Sequence, residues 1–219
     1  MSVIWNNIAD LANEIERKFI GSGNKIEGIQ EKYSWYNNIY TSEKYRRAHI
    51  EIVDKRSTHK MYILHCTIFP HVNDPSPIWG FDAVCGQNKI TGAFHDFSLT
   101  NNHDISMFNW FDNKTKELSW NKQRQLPEWA RQIFSPAMIA AGNLQDITEI
   151  DQLKHIALES LTYYLDNVGK ISQENYKDGQ NRYCFFQKQN PHVVNSMVAM
   201  GIDKEEMLKF VEETLFPEI

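Results

Sequence analysis

Each of four apolar runs in this 219-residue chain carries a titratable side chain. His49 and Glu51 lie in RRAHIEIV (46–53), His65 in MYILHCTIF (61–69), Asp82 in IWGFDAVC (78–85) and Asp96 in ITGAFHDF (90–97). In a strand, side chains alternate between faces, so His49 and Glu51 share one face with Arg47 and Val53. An unpaired charge in an apolar interior is costly, so such groups are paired, neutralised or set against a wet cavity. One residue of this kind could simply face solvent from a half-buried sheet. Four runs, each carrying one, together point to a wet pocket on one face. An Asp–His couple with a nearby Glu suits proton transfer, since burial and mutual influence move each group toward neutral pH.

The runs are held by a meander. Gly86-Gln87-Asn88 separates 78–85 from 90–97 closely enough for a hairpin. The short polar connections elsewhere predict antiparallel pairing, because a parallel return needs a crossover of about a dozen residues. Ile26–Tyr40 reads as a weaker pair of strands at the sheet edge, and Phe134–Ala141 as a further strand. Ile4, Ile8, Leu11, Ile15 and Phe19 recur at helical spacing, which predicts a helix over Val3–Phe19. The same periodicity predicts a helix over Asp151–Val168. Shorter helices are expected at Met107–Phe111, near Leu126–Trp129, over Ser172–Gln189 and Val193–Met200, and over Lys204–Leu215 with Asp203 as cap. The expected architecture is one α+β domain over 1–219, a three-layer α/β/α sandwich with a central antiparallel sheet.

Composition narrows the function. A net charge of −5 argues against a general nucleic-acid binder. No apolar run approaches the ~20 residues of a membrane span. The three cysteines show no metal-finger or disulfide spacing, and with no leader visible at the N-terminus they predict a cytoplasmic protein. His65, His71, His95 and His103 match no standard metal-ligand spacing. Neither GxGxxG, a Walker loop nor GxSxG is present. His65 and Cys66 are adjacent on a strand and point to opposite faces, so Cys66 is expected to pack as a small hydrophobe.

RRAHIE (46–51), YILHCTIFP (62–70), PIWGFDAVCG (77–86), ITGAFHDFS (90–98), QRQLPEWARQIFS (123–135) and RYCFFQKQN (182–190) together resemble the ferredoxin-dependent bilin reductases, in particular the phycocyanobilin:ferredoxin oxidoreductase branch. The resemblance covers nearly the whole chain in matching order. It implies an α/β/α sandwich that binds biliverdin IXα between the sheet and the C-terminal helices. It also implies four-electron reduction through bilin radicals, with electrons from ferredoxin and no flavin, metal or nicotinamide.

By the same resemblance Asp82 is the central proton donor, with His65 its partner at the lactam oxygens. Glu51 with His49 serves the D-ring vinyl group. Arg124 anchors a propionate, as a guanidinium suits a carboxylate, and Trp129 and Asn190 line the pocket. Pro191 and His192 stand where the branch carries Asp and Lys, which places His192 at the propionate end. Glu51 favours phycocyanobilin as product. Phycoerythrobilin, by way of 15,16-dihydrobiliverdin, is the alternative, and a bilin carrier without turnover is the reading from another class. Ferredoxins are acidic, so a basic face is expected, either at Lys44, Arg46, Arg47, Lys55, Arg56 and Lys60 or at Lys114, Lys116 and Lys122. A monomer is expected.

Overall fold

The computed structural model describes residues 2–219. Its centre is a seven-stranded sheet whose order follows the chain. The strands are β1 (Asn24–Lys25), β2 (Tyr36–Thr41), β3 (Tyr45–Lys55), β4 (Met61–Pro70), β5 (Ile78–Gly86), β6 (Ile90–Ser98) and β7 (Ile139–Ala141). All neighbouring pairs are antiparallel. The hairpin expected at Gly86 closes with the Gly86 amide donating to the Lys89 carbonyl at 2.9 Å.

Helices cover both faces. On one side, α1 (Val3–Ser22), α2 (Ser106–Thr115) and α4 (Ile147–Asn167) bury Ile8, Leu11, Ile15, Phe111, Leu153 and Leu161 against Ile50, Leu64, Cys66, Trp79 and Phe97. Cys66 is fully buried there, as its strand parity requires. The other side carries α3 (Glu128–Arg131), α5 (Lys177–Gln187), α6 (Pro191–Ala199) and α7 (Lys204–Phe210), the last running into a π-helical turn, Val211–Leu215. These elements meet Val53, Ile63, Phe69 and Ile78 in a second, smaller core. The α+β three-layer sandwich is therefore as expected from the sequence.

Several element bounds differ. Ile26–Tyr40 is not a strand pair: its first half is turn and a 3-10 segment (Gln30–Lys32), and β2 pairs with the two-residue β1 at 24–25. Only the last three residues of Phe134–Ala141 reach the sheet. The helix expected from Ser172 begins at Lys177, and α4 begins at Ile147, where Asp146 accepts from the Thr148 amide at 2.8 Å. Among the described residues no helix is long and apolar enough to cross a membrane.

Candidate active site

Register turns the separate titratable residues into a line. Glu51 pairs with His65 across β3 and β4, and His65 pairs with Asp82 across β4 and β5. Strands lie ~4.8 Å apart, so the three side chains share a row about 10 Å long on the face toward α5 and α6. A cavity of about 600 Å³ lies over that row, between the sheet, the 124–138 segment, α5, α6 and Leu215–Phe216. Glu51, His65 and Asp82 all line it.

Their environment sets their protons. Glu51 is almost fully buried; burial raises its pKa to about 8, with a contribution from Asp82, against the lowering effect of the Trp35 indole, which donates to Oε1 at 2.8 Å. Burial likewise raises Asp82 to about 7, while its remaining accessible surface opens on the cavity. For His65 burial works the other way, aided by the positive charge of Arg47, and lowers it to about 3. Its Nε2 is buried without a hydrogen-bond partner among the described residues. Near neutral pH burial therefore favours the protonated acid at both Glu51 and Asp82 and the neutral imidazole at His65. Such a row can hand protons to a ligand that is gaining electrons.

Asp96 shares the face but not this character. It accepts from the Ser98 hydroxyl at 2.6 Å, from the Ser135 amide at 3.0 Å and from the Ser135 hydroxyl. It ties the 134–138 wall of the cavity to the sheet, although burial raises its pKa too. His95 points to the opposite side, where its ring meets the Gly80 carbonyl and the Ser160 hydroxyl, each at 2.7 Å.

Arg124, Trp129, Asn190 and His192 all reach the cavity wall. Arg124 is exposed at the rim, where it donates to the Thr91 carbonyl and lies over Phe94. Asn190 also caps α6, its side chain accepting from the His192 amide at 3.0 Å with Pro191 in the first helical turn. An Asn before a Pro that opens a helix is a readable sequence signal for that cap.

One candidate stands off the cavity, and one expectation needs correction. His49 does not line the cavity; it is fully buried beside the row, on the same sheet face, with Nε2 3.2 Å from the Asn37 side-chain oxygen and its ring between His65 and Phe210. The basic face at the first strands loses two of its three arginines. Arg47 is only 6% exposed, and Arg46 is half-buried, bonded to Gln180 at 2.8 Å and stacked over Phe69. Alternation on β3 sets Arg47 beside His49 and Glu51, so its parity already argues for the pocket side. The sequence reading also missed Trp35, Tyr183, Gln187 and Phe216. Trp35 holds Glu51, the other three line the cavity, and Gln187 donates to the Tyr183 hydroxyl at 2.8 Å.

The sequence profile of the family "Ferredoxin-dependent bilin reductase" matches residues 13–217. A phycocyanobilin:ferredoxin oxidoreductase from Trichodesmium erythraeum (strain IMS101) is 28% identical over 174 residues, 76% of this chain and 69% of that protein. One of the same name from Prochlorococcus marinus (strain MIT 9515) is 26% identical over 190 residues, 82% of this chain and 76% of that protein. Among solved structures, PcyX superposes with a TM-score of 0.70 at 22% identity, covering 97% of this chain and 99% of the other. Phytochromobilin synthase from tomato, in complex with biliverdin, gives a TM-score of 0.68 at 15% identity, covering 97% and 82%. These likenesses define an oxidoreductase. The chain belongs to the ferredoxin-dependent bilin reductases.

Proposed function

We propose that this protein is a cytosolic, monomeric enzyme that binds biliverdin IXα in the cavity over the Glu51–His65–Asp82 row and reduces it to a phycobilin. The observation that carries this reading is the row itself: two carboxylic acids that keep protons near neutral pH, with a neutral imidazole between them, on the floor of a cavity of about 600 Å³. The substrate fits the family and the biliverdin held by the tomato relative. Four electrons arrive singly from reduced ferredoxin, with no flavin, nicotinamide or metal in between, and four protons accompany them. Asp82 supplies protons to the pyrrole system and His65 orients the lactam oxygens. Glu51 supplies the proton for the D-ring vinyl group, so phycocyanobilin is the favoured product. His49 acts from beside the row through His65, their rings 6.2 Å apart.

Arg124 and His192 hold the propionates at the rim, with Asn190 and Trp129 on the walls. Arg124 at this rim, with the exposed Lys122, Arg131 and Arg182 on the segments that carry the cavity-lining Gln125, Ala130 and Tyr183, gives an acidic ferredoxin a landing area beside the pigment. A second product reading rests on one departure: Pro191 and His192 open α6 where the branch carries Asp and Lys. A bilin seated differently at that end would be reduced at the bridge between rings C and D and yield phycoerythrobilin.

Anaerobic turnover of the purified protein with biliverdin IXα and reduced ferredoxin, with chromatographic separation of products, decides among these. Phycocyanobilin supports the Glu51 assignment, and phycoerythrobilin the different seating. Binding without any reduced product would make the protein a carrier and sink the reductase reading.

A further inference from the structure

Arg47 has entered so far only as a charge that helps to keep His65 neutral. Its side chain lies on the pocket side of β3, on the face of His49 and Glu51, and is 6% exposed. One guanidinium nitrogen, Nη2, donates to the Thr214 carbonyl in the π-helical turn. The other, Nη1, is buried without a partner, and no carboxylate forms an ion pair with the residue among the described residues. The turn that it grips bears directly on the site. Thr214 also bonds the Tyr33 hydroxyl at 2.6 Å, and Phe216, two residues on, lies edge-on to His65 at 5.8 Å and lines the cavity.

A buried guanidinium without a counter-charge is an expensive way to fill space. Apolar residues of similar volume in place of buried ions are often neutral or stabilising. The negative charge that would complement it is therefore one that the resting protein lacks. We propose that Arg47 is a positioning residue whose buried, uncompensated charge stabilises the one-electron-reduced bilin beside the proton-donor row. The proposal rests on the reading of the cavity as the biliverdin site.

In that step reduced ferredoxin gives up one electron and is oxidised, and the bilin becomes a radical bearing one more negative charge. The Asp82 carboxyl then passes its proton to that radical. Arg47 does not itself line the cavity: it stands beyond His49 on β3, four residues from Glu51. Its charge therefore acts through the low-dielectric interior, where it favours both the radical anion before proton transfer and the Asp82 carboxylate after it. It also disfavours a second cation at His65, so that the carboxylic acids remain the donors.

Three variants test this: Arg47→Met removes the charge, Arg47→Gln removes it but keeps a donor for the Thr214 carbonyl, and Arg47→Lys keeps it. For each, biliverdin affinity is measured by absorbance titration, the radical yield at a fixed ratio of reduced to oxidised ferredoxin by its absorbance, and melting by circular dichroism. The expected result is biliverdin affinity within about threefold of the parent in all three. Arg47→Met should melt no lower than the parent, and both neutral variants should lower the radical-to-biliverdin ratio at least tenfold, a shift of about 59 mV for one electron. Arg47→Lys should retain most of it. If Arg47→Met does not fold, Arg47→Gln carries the comparison. A parental radical yield in a folded neutral variant overturns the proposal, as does a loss in Arg47→Lys equal to that in Arg47→Gln. If the parent protein leaves biliverdin unreduced, the substrate reading itself falls, and this proposal with it.

Discussion

Asp82→Asn keeps the shape of the side chain and removes its proton. An ordinary aspartate, with a pKa of 3.8, would be protonated about once in a thousand molecules at pH 7, whereas burial has raised Asp82 to about 7. That change of about three units corresponds to roughly 4 kcal/mol of preference for the neutral acid. Asparagine mimics the neutral acid sterically, so biliverdin affinity should stay within about threefold. Turnover should fall by about 10²–10⁴, the usual worth of a positioned general acid. Anaerobic stopped-flow spectroscopy with reduced ferredoxin separates these: electrons should still enter the pigment, and a bilin radical should accumulate and decay slowly. In the parent enzyme the rate should fall as pH rises through about 7, as Asp82 loses its proton, and this limb should vanish in the variant. Turnover within tenfold of the parent would refute the assignment, and so would a loss of affinity as large as the loss of rate.

Glu51 and Asp82 hold protons more tightly folded than unfolded, so their ionisation on unfolding makes stability fall as pH rises toward about 8. The depressed histidines act oppositely below about pH 6.5, since the unfolded chain binds protons that His65 and His95 refuse. Urea titrations should therefore show stability declining between pH 6.5 and 8, by at most about 1.4 kcal/mol per pH unit for each acid, and Glu51→Gln should flatten that slope. Gly179 lies in the first turn of α5, where a Cβ would come within 1.9 Å of the Thr100 carbonyl. Gly179→Ala should cost about 1–3 kcal/mol of unfolding free energy by displacing the helix, and biliverdin affinity should weaken because α5 carries Tyr183 and Gln187 to the cavity. Reversal of both Arg131 and Arg182 to Glu should slow reduction by ferredoxin at low salt by tenfold or more and reduce its ionic-strength dependence, with biliverdin affinity unchanged.

Alternation and turn residues made the sheet face legible. Glu51, His65 and Asp82 stand on central strands with strong apolar patterns, so their common side could be read one strand at a time. Register could not, because pairing is decided by contacts between strands. That these residues stand directly opposite one another, and His49 does not line the cavity, appears only in three dimensions. Arg47 is hard to place because charge ordinarily means exposure, and here strand parity is the better guide. The cavity's cover was least legible. Tyr183 and Gln187 come from a helix whose outward and inward faces are both mixed and Phe216 from the bend after the π-helical turn, so their role depends on how α5 and that turn dock. The late start of α5 has a similar cause: Ser172 and Tyr176 spend their backbone amides on the Asn73 and Val72 carbonyls, tying the segment to the β4–β5 connection.

The sequential order of the strands bears on how the enzyme comes into being. From β2 to β6 each strand pairs with the one just before it in the chain, so no distant segment must arrive for this part of the sheet to grow; only β7 comes from farther on. During synthesis, Glu51, His65 and Asp82 can be brought into line by adjacent hairpins while residues 177–216 are still unmade. The proton-donor floor is laid first and its roof last, so an emerging chain exposes a polar row, open to water, until the final helices seal it. Pulse-labelled hydrogen exchange should find β3–β5 protected ahead of α5 and α6; simultaneous protection would instead mean that the roof is needed to hold the floor together.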